Sequence, residues 1–181
     1  MLTDADPTGP SEEDEEEEGD GSAEADDHAP EDGTSSGKKK AAPVYPSIGD
    51  KVQVSANTLS MLKFEDSYLK IFHGLKTLEY DLALYASNRK IMLAALKELH
   101  PKISANLEKK VDAATGDAEK ARVLFSGMFE RKNGNVQKGR FAQALAYLIA
   151  KAKKEEFTVP EYIQSAVEHA CQLGPKKAED E

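Results

Sequence analysis

The sequence predicts an α/β fold: a few strands first, then a mainly helical C-terminal region, with a disordered acidic insert near the start. Three observations carry this reading. Residues 11–32 hold 13 acidic side chains and no Lys or Arg, too charged and too poor in apolar surface to offset chain entropy. Residues 68–73 alternate Leu69 and Ile71 against Phe72, the period of a strand. From Thr77 onward apolar residues recur mostly at threes and fours, the period of helices.

The 181 residues allow one domain with a sizeable core. The net charge of -9 hides an asymmetry: residues 1–32 carry 15 acids and no base, which leaves 18 acids against 24 bases, a formal +6, in the rest. A basic body permits phosphate binding without requiring it. The single cysteine, Cys171, excludes an intrachain disulfide and is expected as a buried thiol on the apolar side of the last helix. No run approaches the roughly 18 apolar residues of a membrane span. The acidic N-terminus is unlike a secretory signal, so a cytoplasmic location and no membrane partner are expected.

Element by element, residues 1–3 read as the end of a strand, and residues 10–46 as low-complexity. Residues 52–54 alternate briefly, residues 57–62 read as a short helix, and residues 68–73 are the best strand. Leu78, Leu82, Tyr85, Met92, Leu96 and Leu99 mark a long helical segment with a gap around Asn88, closed by Pro101. Further helices are marked by Ile103, Leu107 and Val111, by Ala121 to Phe129, and by Phe141 to Ala152. The last helix has Pro160 in its first turn, an apolar face of Ile163, Ala166, Val167 and Ala170, and Gly174-Pro175 as its stop.

Three stretches carry candidate chemistry. In Leu2-Thr3-Asp4-Ala5-Asp6-Pro7, Asp4 and Asp6 lie two apart at a strand end and share a face. Such a pair suits a hard cation like Mg²⁺; taken alone, a solvated acidic tail is the plainer explanation. In Lys76-Thr77-Leu78-Glu79-Tyr80-Asp81-Leu82-Ala83, Glu79 and Asp81 open a helix after the best strand. Carboxylates there complement the helix dipole, and they also sit at the sheet edge where ligands gather. In Lys138-Gly139-Arg140-Phe141-Ala142-Gln143, two cations stand at a helix start, which the dipole disfavours. A phosphate would account for them, with Gly139 allowing close approach; a solvated loop is the plain alternative. No zinc spacing, no Gly-x-Ser-x-Gly and no phosphate-binding P-loop occurs.

In this order the three stretches resemble the OLD (overcoming lysogenization defect) family of ATP-dependent DNA endonucleases. Leu2 to Pro7 is similar to the Asp-x-Asp strand end of their metal-binding Toprim domain. Ser67 to Phe72 followed by Lys76 to Ala83 resembles the next strand and acidic helix start. Lys138 to Gln143 resembles the downstream Lys-Gly motif, and Phe157-Thr158-Val159-Pro160-Glu161-Tyr162-Ile163 the family's ending. The resemblance covers residues 1–9 and roughly 47–173. It implies the C-terminal part of a Rossmann-like Toprim domain with few parallel strands. Its expected limits are 1–9 for the Asp-x-Asp strand end, 10–46 for the insert, 47–100 for the rest of the Toprim domain, 101–173 for a helical region and 174–181 for a tail.

The function implied is metal-dependent hydrolysis of DNA phosphodiesters, inactive or weak in this chain alone. Asp4, Asp6, Glu79 and Asp81 are then Mg²⁺ or Mn²⁺ ligands or their supports, Lys138 and Glu79 catalytic, and Lys138 and Arg140 DNA-binding. The family's ATPase and its first acidic Toprim motif have no counterpart here, so ATP acts only through a domain missing or supplied by another chain. A fragment, a mis-assigned start or a split gene each accounts for the beginning at Met1. The full-length parent is expected to be a homodimer. The alternative is a non-enzymatic helical module whose acidic arm mimics nucleic acid. Deleting residues 10–46 discriminates: a mimic loses its basic partner, whereas a nuclease site survives.

Overall fold

The computed structural model describes residues 1–5, 43–132 and 134–172. Two short strands, β1 (Leu2–Thr3) and β2 (Phe72–His73), pair in parallel with Leu2 opposite Phe72 and Thr3 opposite His73. Between them lies α1 (Ala56–Leu62), capped by the Ser55 hydroxyl, which accepts from the Thr58 N–H at 3.3 Å. Beyond β2 run α2 (Leu78–Ala83), α3 (Ala86–Leu99), α4 (Pro101–Ala113), α5 (Asp117–Phe129), α6 (Lys138–Lys151) and α7 (Glu161–Gln172), with a 3-10 turn at Lys154–Glu156. The described residues are therefore mostly helical around a small parallel sheet, a mixed α/β arrangement.

Helices α2 to α6 enclose one core in which Tyr80, Met92, Leu96, Leu124, Met128 and Phe141 are fully buried. A file of rings, Tyr45–Tyr80–Phe125–Phe129–Phe141, runs through it with successive centroids 5.5–5.8 Å apart. These tilted and edge-on spacings are those aromatic pairs favour. Tyr45 belongs to residues 43–46, which the sequence assigns to the insert. Here they join the body: Pro46 is buried, its carbonyl accepts from the Tyr80 hydroxyl at 2.9 Å, and the Lys76 ammonium donates to the Val44 carbonyl at 3.2 Å. The remainder of the expected disordered insert, and the tail at 174–181, lie outside the described residues.

Four expectations about elements change. Residues 52–54 form no strand. The strand expected at residues 68–73 shortens to two residues, because Asp66 captures its leading end: one carboxylate oxygen accepts from the N–H groups of Tyr68 and Leu69, each at 2.7 Å. That side-chain turn competes with the ladder, and the two backbone bonds hold the Asp66 carboxyl below its usual range. The long helical segment breaks at Leu84–Tyr85 instead of around Asn88. Pro101 opens α4 at its first turn and does not simply close α3.

The gap at Asn88 has a different cause. Asn88 is a fully buried residue of α3. Its amide donates to the Thr158 carbonyl at 2.7 Å and accepts from the Thr158 N–H at 2.8 Å. One side chain thus satisfies both backbone groups of a residue in the segment that leads into α7. Asn88→Ala is expected to leave this donor and acceptor unpaired, at a cost of about 2 kcal/mol or more, read by urea denaturation.

The outer face of α7 also departs from expectation. Val167 is 57% exposed and Ala170 and Cys171 are exposed, whereas Tyr162, Ile163, Ser165, Ala166 and His169 are partly covered. The helix packs against β2, with the His169 ring 5.8 Å from that of Phe72. The buried Cys171 thiol expected from the pattern is therefore corrected to a surface thiol, because the packed stripe is rotated toward Tyr162 and His169.

Candidate acidic site at the sheet edge

Both strands end at the same level, and the segments that follow them stay in register: the Gly74 N–H donates to the Thr3 carbonyl at 3.3 Å and the Ala5 N–H to the Lys76 carbonyl at 3.1 Å. Asp4 therefore lies alongside the Gly74–Lys76 loop. Its carbonyl accepts from the Thr58 hydroxyl at 3.1 Å, which fastens this loop to α1. The chain then turns at Thr77 into α2, bringing Glu79 and Asp81 to the C-terminal edge of the sheet.

Asp81 is 3% exposed. Its two carboxylate oxygens accept from the N–H groups of Leu75 and Lys76 at 3.1 and 3.2 Å. Burial pushes its carboxyl up to about 7, against the lowering effect of those two N–H groups and with a further rise from the charges of Asp4 and Glu79. Asp4 and Glu79 thus both act on Asp81, although 75 residues of sequence separate Asp4 from Glu79. Asp6 lies outside the described residues.

The third stretch arrives from α6. Lys138, in its first turn, donates to Glu79 Oε2 at 3.1 Å and lies 5.5 Å from the Phe129 ring centre. A cation disfavoured by its own helix thus finds a carboxylate 59 residues away. Arg140 does not join it: it is exposed and lines a separate small hollow with Leu99, His100, Asn135 and Gln137. Gly139 has open space where a Cβ would stand, so nothing in the described residues demands a glycine there.

Two residues at the site escape the sequence pattern. Gly74 is buried, and a Cβ on it would overlap Asp81 Oδ2 and stand 3.0 Å from Asp81 Cγ and 3.2 Å from Tyr162 Cε1. Only glycine leaves room for the carboxylate. Tyr162, from α7, is the second; the charges of Asp81, Asp4 and Glu79 all act on its phenol, which burial already pushes up. The quoted Pro160-Glu161-Tyr162 stretch contains this residue, but nothing in its spacing points to the acids.

The donor set is chemically suited to a hard divalent cation: carboxylate oxygens, one of them buried and held against mutual repulsion. Among the described residues, however, no group of three or more His, Cys, Asp or Glu is arranged to hold a metal ion. Asp4, Glu79 and Asp81 share a field without forming a ready three-carboxylate cage.

A pH dependence follows for the chain without metal. Asp81 has a folded value of about 7 against an ordinary 3.8, so between these the native state binds the extra proton. Its contribution favours folding at low pH and is lost as pH rises from about 4 through 7. Chemical denaturation across pH 5 to 8 is expected to show this loss in the wild type and a flatter profile in Asp81→Asn.

No helix among the described residues is long and apolar enough to cross a membrane. No family model matches the chain, and no curated protein or solved structure is similar to it.

Proposed function

We propose that this chain is the metal-binding and catalytic portion of a DNA phosphodiesterase of the Toprim type, related to the OLD-family endonucleases. The observation that carries this reading is the meeting of three stretches far apart in sequence. Asp4, Glu79 and Asp81 share one sheet edge, and Lys138 reaches the same place through Glu79. A helical core alone has no need to gather these groups.

In this reading Asp4, Asp6, Glu79 and Asp81 hold or support Mg²⁺ or Mn²⁺. The cation, when bound, activates water and offsets charge on the phosphate. Asp81 has a supporting role: both its oxygens already accept backbone N–H groups, which fixes its orientation. Glu79, 20% exposed at its side chain and paired with Lys138, is the acid with room to exchange partners. Lys138 then stands free to face a phosphate oxygen, and a fixed cation there favours the more negative transition state. Arg140, on its own hollow, contributes only to the DNA backbone.

The test is Mn²⁺-dependent nicking of supercoiled DNA by this chain joined to an ATPase and an upstream acidic strand of the family. Nicking that is lost in both Asp4→Ala and Glu79→Ala supports the reading. Nicking that survives both replacements overturns it. ATP, a homodimeric parent and an ATPase on another chain belong to the same proposal.

A further inference from the structure

We infer that the turn after α1 is a platform for unpaired DNA: the Phe64 and Tyr68 rings stack on bases while Lys63 and Lys70 meet the adjoining phosphates. This rests on the proposed reading of the acidic edge as a DNA phosphodiesterase site and adds the surface that feeds it. Phe64 and Tyr68 are 71% and 81% exposed, and Leu59 and Leu69 in the same stretch are 49% and 38% exposed. A lone exposed apolar side chain needs no explanation, but several in one short stretch mark an interaction surface. The frame beneath the rings is fixed. One Asp66 oxygen accepts from the Tyr68 and Leu69 N–H groups, each at 2.7 Å, the Asp66 N–H donates to the Leu69 carbonyl at 3.0 Å, and Glu65 Oε1 accepts from the Ile71 N–H at 2.8 Å. The turn is thus held by its own acids while its rings stay in solvent.

Those bonds also decide the charge a partner meets. Both acids of the turn are folded onto backbone N–H groups, whereas Lys63 and Lys70 are exposed and make no ion pair among the described residues. Two exposed rings flanked by two such cations fit a polyanion with flat, accessible base faces, which is a single strand. An apolar protein surface would cover both ammonium groups without matching their charge. Tyr147, another exposed ring, differs: the Lys151 ammonium lies over it at 3.7 Å and donates to its hydroxyl, so that cation is already engaged. The turn is also tied to the acidic edge. Near the other end of α1 the Thr58 hydroxyl donates to the Asp4 carbonyl at 3.1 Å and the Ser55 N–H to the Ala5 carbonyl at 3.0 Å. The seven residues of α1 span about 10 Å, so a strand gripped at the turn reaches the acids within a few nucleotides.

The experiment is fluorescence anisotropy of labelled oligothymidylate titrated with the full chain, without metal, beside the same strand paired with oligoadenylate. The single strand is expected to bind more tightly than the duplex, whose base faces are hidden. Phe64→Ala and Tyr68→Ala are each expected to weaken single-strand binding by about 5- to 100-fold and, because both rings are in solvent, to melt within about 2 °C of wild type. Tyr147→Ala is expected to bind as wild type does. Lys63→Gln combined with Lys70→Gln is expected to lower the salt slope of binding by about 1.4. A wild type that binds no single strand, binds it no tighter than duplex, or binds it as well as the Phe64→Ala/Tyr68→Ala protein does, overturns the inference. If the chain joined to an ATPase and an upstream acidic strand still nicks DNA in that case, the phosphodiesterase reading stands. Self-association that the double variant loses in sedimentation, with DNA binding unchanged, assigns the surface to a second copy of the chain and overturns the inference as well. If the joined protein nicks no DNA at all, the phosphodiesterase reading fails and takes the inference with it.

Discussion

Lys138→Ala is expected to lower Mg²⁺- or Mn²⁺-dependent DNA cleavage by about 10²–10³, in a protein that supplies the ATPase and the upstream acidic strand, while ATP hydrolysis and folding are unchanged. The reason lies in its placement. Lys138 is a half-exposed cation whose carboxylate partner is 20% exposed. Such pairs contribute about 0–1 kcal/mol to stability, so its removal does little to the fold. An interaction made mainly in the transition state lowers turnover far more than affinity, and DNA binding falls only modestly when one phosphate contact of several is lost. Arg140→Ala, on a separate hollow, is expected to weaken binding and leave turnover intact. Near wild-type cleavage by Lys138→Ala would reduce the Lys138–Glu79 bond to a surface ion pair.

Gly74→Ala is expected to be the most damaging single-methyl change. The added carbon lands on Asp81 Oδ2 and close to the Tyr162 ring. The carboxylate must leave the Leu75 and Lys76 N–H groups that it now satisfies. Two backbone donors losing an acceptor at about 1–3 kcal/mol each imply a loss of roughly 3 kcal/mol, together with loss of any cation that Asp81 orients. Urea denaturation of Gly74→Ala, Asp81→Ala and the double variant tests this. Strong non-additivity is expected, since the clash and the lost acceptor are the same event. A Gly74→Ala protein as stable as wild type means that the carboxylate has another resting place.

The inward helix faces and much of the core were legible because burial here follows the helical period: Leu96, Leu107, Val111, Leu124, Met128, Phe141 and Leu145 all lie on inward faces. The sheet was less legible. Asp66 ends β2 early through a side-chain turn, a local competition that alternation does not register. Asn88 reads as a flaw in an apolar stripe, yet it makes two hydrogen bonds to Thr158 across the fold. Residues 43–46 share the insert's Pro- and Ala-rich margin, but the rings of Tyr45 and Tyr80 meet at 5.8 Å and draw them into the core.

Of the site, the charged members stand out in the sequence because a cation in a first helical turn, or paired acids at a strand end, contradict or exceed local needs. Gly74 and Tyr162 carry no such signal. Their roles come from what lies over them in space, an α-carbon beneath a carboxylate and a ring from a helix nearly 90 residues later.

Anomalous scattering from crystals of the chain soaked in manganese chloride tests the central proposal most directly. A manganese peak is expected at the C-terminal edge of the β1–β2 sheet, against oxygens of Asp4, Asp6 or Glu79, with Asp81 beside it and the Lys138 ammonium turned away from Glu79. A peak only elsewhere, or an intact Lys138–Glu79 bond with no manganese at that edge, contradicts it.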